Sequence, residues 1–471
     1  MDTLVRFTEK GGFYNHKDIE DYFKIQLPKQ DNYFYFNSNM KQIQKDDNFY
    51  FSYKGQVVAK ATYINSKPKK DENRTFPWGY KVDRIKVFNP ITIDNNLFKG
   101  QSSFFYINSS EKKEEIKKIE KLIQSHSQTR EYISSLKIDN FTLFNKEELK
   151  FSKGINVFIG ENGTGKSQIL KLIYSLTGAN NTFYKKKSNK ETHLAEQIVE
   201  EMNDTFRVPN IQNLISFNSN KNKADICIQF STYSIDYSIT EHSNSQVKIN
   251  NFINNGFEQK IVFIPAKEIL SNFKRFATLW EEYYISFDKT FYNLVKALNR
   301  PLLKDTSSFE SINKSLEDIL KGEIVQLNGE FYLKRKIDGK LIISSMIAEG
   351  LRKIGTVSYL LRNKSLTNGS VLIWDEPESN LNPKLIKEIA KLFIILEDFG
   401  VQIFIATHSL FLVNEIEILR EKENNIKYFS FGFNQKQELK TSQSSKLEEL
   451  KDLILLDEEI DQGDRFMNKE R

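Results

Sequence analysis

The period of the apolar positions changes along this chain. From the start to about residue 105 they form short aromatic and β-branched runs, Tyr33-Phe-Tyr-Phe36, Phe49 to Tyr53, Val57 to Ile64 and Val82 to Phe88, with Gly55 placed as a hairpin turn. Several short strands joined by polar turns predict a small β-barrel over residues 1–109. Between Ser110 and Ile123 the apolar residues fall at 116, 119, 122 and 123 on a charged background. That is the spacing of an amphipathic helix, so residues 110–133 are expected to form a linker.

A third texture occupies residues 134–471. Ile138 to Phe151 predicts strand, loop and strand, and Ile155 to Gly160 a buried strand that runs into a glycine-rich turn and a helical pattern from Gln168 to Tyr174. The polar tract Thr177 to Lys223 has no strong period, and mobile helices and loops are expected there. Alternation returns at Ile226 to Phe230 and Tyr233 to Ile239, an expected antiparallel pair. Ile261-Val-Phe-Ile264 predicts a buried strand ending at Pro265, and Ala266 to Gly322 is helical in pattern. Asn328-Gly329 and Asp338-Gly339 mark hairpin turns. From Met346 helices to Leu361, from Pro383 and from Leu410 alternate with strands at Val371 to Trp374, Val401 to Ala406 and Ile426 to Phe431. This alternation predicts an α/β fold with a parallel sheet covered by helices, carrying a helical and β-hairpin insertion at about 177–345.

Composition adds little to this pattern. The net charge is +6, but lysine is dispersed among acids, so an anionic partner is only weakly indicated. A single cysteine, Cys227, leaves no intrachain disulfide or cysteine-based zinc site, and its place in an alternating run predicts a buried strand position. No stretch approaches ~18 consecutive apolar residues, and the start lacks a secretory apolar region, so a cytoplasmic protein without a membrane partner is expected.

The candidate chemistry centres on Gly160-Glu-Asn162-Gly163-Thr164-Gly165-Lys166-Ser167-Gln168. A strand, G-x-x-x-x-G-K-S and a helix make a phosphate-binding loop. Its glycines allow close backbone approach to phosphate oxygens, Lys166 supplies positive charge to the β- and γ-phosphates, and the Ser167 hydroxyl is placed for Mg²⁺. ATP and Mg²⁺ are therefore the expected ligands. Asp375-Glu376, at the end of an apolar strand, fit a Mg²⁺-holding carboxylate and a base or water-orienting carboxylate. His408 ends another strand and is a candidate γ-phosphate contact. Lys267 and Glu268 follow Pro265 and are polar groups within possible reach, or simply a helix start.

Taken with Ser379-Asn-Leu-Asn-Pro383, these motifs resemble the ABC-type ATPases. The branch is the soluble one that includes the chromosome-maintenance (SMC) and recombination ATPases and the overcoming-lysogenization-defect (OLD) nucleases of phage defence. The resemblance implies an ABC-type P-loop nucleotide-binding domain and a site completed by a second subunit's signature helix, here Ala348-Glu349-Gly350 followed by Leu351, Arg352 and Lys353. Serine is common at 348 and glycine at 349 in that pattern, so one hydroxyl contact is missing. It also implies an ATP-hydrolysing switch that forms a homodimer or higher homo-oligomer and senses nucleic acid in defence or repair. With about forty residues after Phe431, the effector, possibly a nuclease, is expected as a separate protein; the tail acids Asp457, Glu458, Glu459, Asp461 and Asp464 are expected on a solvated helix end. A transporter ATPase or an ATP-binding scaffold without turnover are the alternatives. Residues Asp47 to Tyr63, Pro77 to Tyr80 and Val82 to Pro90 look like the PUA-like and EVE-like barrels, which implies base stacking by Phe76, Trp78 and Tyr80 beside Lys69, Lys70, Arg74 and Lys81, or else docking of a protein.

Overall fold

The computed structural model describes the chain apart from residues 1, 8–17, 20–21, 37–38, 66, 93–97, 99–101, 103, 128–130, 187–190, 217–220, 253–257, 275, 283–285, 303–309, 421–424, 435, 437, 452–453 and 470–471. Two compact units divide it, residues 1–130 and 131–471.

In the first unit seven strands, β1 (Thr3–Phe7), β2 (Tyr33–Phe36), β3 (Asn48–Tyr53), β4 (Gln56–Tyr63), β5 (Lys69–Lys70), β6 (Trp78–Thr92) and β7 (Phe104–Tyr106), precede helix α1 (Ser110–Ser127). They make one sheet in the order β2-β6-β4-β3-β1-β7, with β5 beside β6. Lys54 and Gly55 both take positive φ, 48° and 79°, which is the turn that joins β3 to β4. Alternation in β2 sends Phe34 and Phe36 inward and leaves Tyr33 and Tyr35 half-buried on the other face. Phe34 meets Phe51 edge-on at 5.1 Å, and Phe36 on β2 meets Phe104 on β7 at 5.7 Å. The sheet thus curls until its two end strands share one aromatic core, although no strand pairing among the described residues closes it.

The second unit has a six-stranded sheet in the order β14 (Ile261–Ile264), β18 (Val371–Asp375), β19 (Gln402–Thr407), β10 (Ile155–Gly160), β20 (Ile426–Phe433), β21 (Leu439–Ser444). All neighbours are parallel except β21, which runs antiparallel to β20. Its central strands are continuous apolar runs because both faces are covered. Ile155, Val157 and Ile159 enter the core formed with α4 (Phe276–Glu282), α5 (Lys289–Leu298), α6 (Glu310–Leu320), α7 (Glu349–Arg362), α8 (Pro383–Phe399) and α9 (Leu410–Leu419). Phe158 enters the opposite core, shared with α2 (Lys166–Lys185) and α3 (Glu191–Phe206). Local chemistry sets the helix ends: Asn382 caps α8 through Leu385 N–H at 3.0 Å with Pro383 in the first turn, and Gly400 ends it at φ 95°.

A five-stranded antiparallel sheet, β13 (Lys248–Phe252), β12 (Ser234–Thr240), β11 (Lys223–Phe230), β8 (Ile133–Phe141), β9 (Phe144–Lys150), closes the second core. A three-stranded sheet, β15 (Gly322–Leu327), β16 (Glu330–Arg335), β17 (Leu341–Ile343), packs against the first. The stretch 177–345 supplies β11 to β13 to the antiparallel sheet and β14 to the edge of the central one. Two expectations are corrected here. The tract after Thr177 holds the packed helix α3, whose Leu194, Ala195, Ile198, Val199 and Met202 are buried at helical spacing that its many polar residues obscured. Cys227 is half-buried on the outer face of β11, because Ala224, Ile226, Ile228 and Phe230 take the inner face.

Candidate nucleotide site

Register in the central sheet places the candidate residues. Ile159 of β10 lies opposite Thr407 of β19, and Asp375 of β18 opposite Ala406, so Gly160, Asp375 and Thr407 end their strands at one edge. Ligands of parallel sheets bind at this carboxyl edge. A Cβ on Gly160 would lie 2.0 Å from the Phe431 carbonyl oxygen, so only glycine lets β10 turn into the loop there. Gly165 starts α2 at φ 89°, and a Cβ there would meet the Phe144 ring at 2.8 Å. Around Gly163, by contrast, there is open space, and Asn162 is exposed beside it.

Inside the loop Thr164 is buried and donates to the Glu161 carbonyl at 2.8 Å. The Lys166 ammonium, also buried, donates to the carbonyls of Gly160 at 2.7 Å and Glu161 at 2.6 Å. Burial pushes its pKa down, opposed by the charges of Asp375, Glu376, Glu378 and Glu161. Ser167 Oγ donates to Asp375 Oδ1 at 3.0 Å. Burial raises the Asp375 carboxyl to about 6, with the Ser167 hydrogen bond acting against it and the Glu376 charge adding to it. Gln168 Oε1 is buried without a hydrogen-bond partner. A hydroxyl against a carboxylate and a buried lysine held by loop carbonyls fit a phosphate chain with a dication; Ser167 and Asp375 would hold Mg²⁺, which supplies charge stabilisation when bound.

Glu376 lies at the mouth of this arrangement with φ 45°, a conformation that costs a non-glycine residue about 1–3 kcal/mol. Its backbone is fixed from both sides. The N–H donates to Ala406 O at 2.9 Å, and the carbonyl accepts from Ser379 N–H at 3.1 Å and Ser379 Oγ at 2.9 Å. The half-exposed carboxylate stands 3.7 Å from His408 Nδ1, near enough for charge to act and too far for a hydrogen bond. A carboxylate held this way can orient a water or take its proton.

Sequence reasoning missed the groups that hold Glu376. Glu378 is buried and its Oε1 accepts from Thr407 Oγ1 at 2.6 Å and His408 N–H at 3.2 Å, tying the β18 turn to the β19 end. Lys353 is only 1% exposed, and its ammonium donates to Ser379 O at 2.8 Å and Ser379 Oγ at 2.6 Å and reaches Glu376 O at 3.5 Å. A lysine within two turns of a helix start ordinarily faces water, and only its contacts across 26 residues reveal otherwise. Lys353→Met should lower kcat by about tenfold or more with ATP affinity nearly unchanged, since misplacing a reacting group by the order of 1 Å costs up to about a hundredfold. Steady-state turnover and nucleotide titration check this; equal losses in both would mean that Lys353 holds the whole site rather than the Glu376 turn.

The signature residues stand apart. Ala348 precedes α7 without a side-chain cap and is exposed, Glu349 is bonded by Asn380 Nδ2 at 3.2 Å, and Gly350 packs where a Cβ would strike Leu381 at 2.5 Å. No hydrogen bond or ion pair among the described residues links these three with the phosphate-binding loop. Glu268 is no part of the loop's surroundings either: it accepts from Ser271 and pairs with Arg352 Nη2 at 2.9 Å, while Lys267 is exposed. No helix starts at Lys267 either: the chain bends at Ala266 and Lys267, and only the short 3-10 turn Leu270–Asn272 follows.

In the first unit Tyr80 is fully buried and its hydroxyl accepts from Met40 N–H at 2.6 Å, which removes it as a stacking residue. Trp78 is half-buried against the core, and Phe76 is 43% exposed. The outward rings that sequence reasoning passed over are Tyr33 and Tyr35. Arg74 lies 3.9 Å over Tyr35, while Lys69 and Lys81 lie 5.8 and 5.5 Å from Tyr33. Lys70 stands 5.9 Å from the Trp78 ring.

A family model described as "AAA domain, putative AbiEii toxin, Type IV TA system" matches residues 231–414. The DNA replication and repair protein RecF of Thermoanaerobacter sp. (strain X514) is 26% identical over 220 residues, 44% of this chain and 54% of that protein. The chain thus spans about half the length of that curated relative. Among solved structures, an Smc head bound to the C-winged helix domain of ScpA is 16% identical, with a TM-score of 0.44 over 67% of this chain and 98% of that one. The recombination mediator protein RecF with ATPrS is 15% identical, with a TM-score of 0.34 over 64% and 96%. No helix among the described residues is long and apolar enough to cross a membrane. By its match over residues 231–414 the chain carries an AAA-type domain, and RecF is among the proteins it is similar to.

Proposed function

We propose that this chain is an ATP-hydrolysing switch in which two copies close around ATP and nucleic acid is the input. The observation that carries the reading is the meeting of Lys166, the Ser167–Asp375 pair and the Glu376–His408 pair at the carboxyl ends of β10, β18 and β19. Binding alone would need only the first two. A carboxylate held at a strained φ beside a histidine has a use when a water must be aimed, which favours turnover over a passive scaffold. The exposed start of α7 at Ala348, with no bond to its own loop, supports completion of the site by the second copy's Ala348, Glu349 and Gly350.

For the input, the matched relatives are DNA replication and repair proteins by name, and the Tyr33 and Tyr35 face, with Arg74, Lys69 and Lys81 over its rings, combines aromatics with cations as single-strand binders do. By its resemblance to the defence branch, the output is proposed to lie in a separate effector protein. The test is ATP turnover by the purified full chain with and without single-stranded and duplex oligonucleotides. Turnover should rise with one class of oligonucleotide, and no cleavage should accompany it. Tyr35→Ala with Arg74→Ala should weaken that oligonucleotide by about tenfold, each stack being worth about 1–3 kcal/mol, and leave basal turnover intact. Turnover absent under all conditions would refute the switch; cleavage by the chain alone would refute the separate effector.

A further inference from the structure

Two features of the 131–471 unit take no part in the nucleotide site, and each has the chemistry the other lacks. The first is helix α10 (Ile454–Lys469), in which every residue whose side chain is described is exposed. Leu456, Ile460 and Met467 are spaced by four and seven and form one apolar stripe, with Ile460 55% exposed. Glu459 and Asp464 border it, and the helix holds five carboxylates against two cations.

The second is an open groove of about 590 Å³ on the three-stranded sheet, lined by Leu320, Leu333, Ile337 and Ile342 with Lys321 and Lys336 at its rim. Ile337 is 82% exposed at the tip of the turn Lys334-Arg-Lys-Ile-Asp-Gly-Lys340, which has four cations to one carboxylate. The ion pairs already present there, Lys336–Asp318 at 2.9 Å and Arg335–Asp338 at 3.4 Å, are exposed and therefore weak enough to exchange.

We propose that α10 of one copy lays its apolar stripe in this groove of a second copy, with its carboxylates against the basic turn. The sheet order favours a second copy over the same one. The groove belongs to the β14 edge, because α7 packs on both β15 and α5, and α5 packs on β14. Lys451, three residues before α10, is fixed at the other side by the hydrogen bond from Ser430 Oγ of β20 to its carbonyl at 2.7 Å. A contact between unlike patches leaves one helix and one groove free at the ends, so it propagates into a ring or an open chain. It uses none of the loop residues and so forms without nucleotide, which separates its test from that of the ATP-dependent pairing proposed above.

The full chain without nucleotide is followed by sedimentation over a range of concentrations. Association is expected, weakened by salt, and Ile337→Glu and Ile460→Glu should each weaken it by about tenfold or more, as buried apolar anchors do. Both positions are exposed, so neither change disturbs the fold. Mixing the two variants restores one intact contact per pair and should stop at a dimer. Carbodiimide cross-linking of isotope-labelled with unlabelled chains should join Glu459 or Asp464 of one to Lys321 or Lys336 of the other. A monomer at every concentration, association untouched by both substitutions, or cross-links confined to one isotope would each overturn the proposal, the last by placing α10 in its own groove.

Discussion

Replacing Lys166 by alanine should abolish tight ATP binding. The ammonium now spans the mouth of the loop, bonded to the Gly160 and Glu161 carbonyls, and it is the buried cation that the loop itself offers to phosphates. Hydrogen bonds to charged groups contribute about 1.5–3 kcal/mol each. Losing two of them costs roughly 3–6 kcal/mol, a hundredfold or more in Kd, since every 1.4 kcal/mol is about tenfold. Stability should fall as well, by about 1–3 kcal/mol, because Gly160 is buried and its carbonyl loses a buried hydrogen bond. Titration calorimetry with ATP and Mg²⁺, beside a thermal melt, checks both halves. An affinity within about threefold of the parent would remove the phosphate-binding assignment, for no other loop group could have replaced so much charge-assisted bonding.

Glu376→Gln should leave ATP affinity intact and slow hydrolysis by about a hundredfold or more, because general-base and water-orienting roles contribute about 10²–10⁴. The isosteric amide keeps the backbone bonds to Ala406 and Ser379 and the positive φ, so the turn should survive. The variant should also accumulate as a dimer under saturating ATP and Mg²⁺, with turnover too slow to release it. Glu378 is the control carboxylate. It is buried and already accepts two hydrogen bonds at one oxygen, so Glu378→Gln should lower stability through the β19 end instead of removing a base. Normal turnover in Glu376→Gln would move the base elsewhere, and a monomer with ATP bound would contradict the two-copy site.

What the sequence determined by itself is local. Glycines at 160, 163 and 165 before Lys166-Ser167 announce a backbone conformation and a charge, and Asn382-Pro383, Ser409-Leu410 and Asn328-Gly329 announce where helices and a hairpin begin, because caps and turns are satisfied by neighbours in the chain. Continuous apolar runs marked β10, β14, β18 and β19 as buried strands, since a sheet covered on both faces allows no alternation.

Tertiary structure decided everything that depends on two distant segments meeting. Tyr80 and Trp78 belong to the same aromatic cluster in the sequence, and only the pairing of β6 with β2 shows that both take the core face, Tyr80 opposite Phe34 and Trp78 opposite Phe36, while Tyr33 and Tyr35 take the other. Cys227 alternates with apolar residues, and only the side of the sheet that α2 and α3 cover fixes which set is inside. Glu268 was a candidate for the nucleotide until Arg352 claimed it, 84 positions later in the chain. Lys353 and Glu378 carry no signal of their own, because a buried charge is recognisable only by its partners, and those partners, the Glu376 turn and the β19 end, come together only when parallel strands align their carboxyl ends.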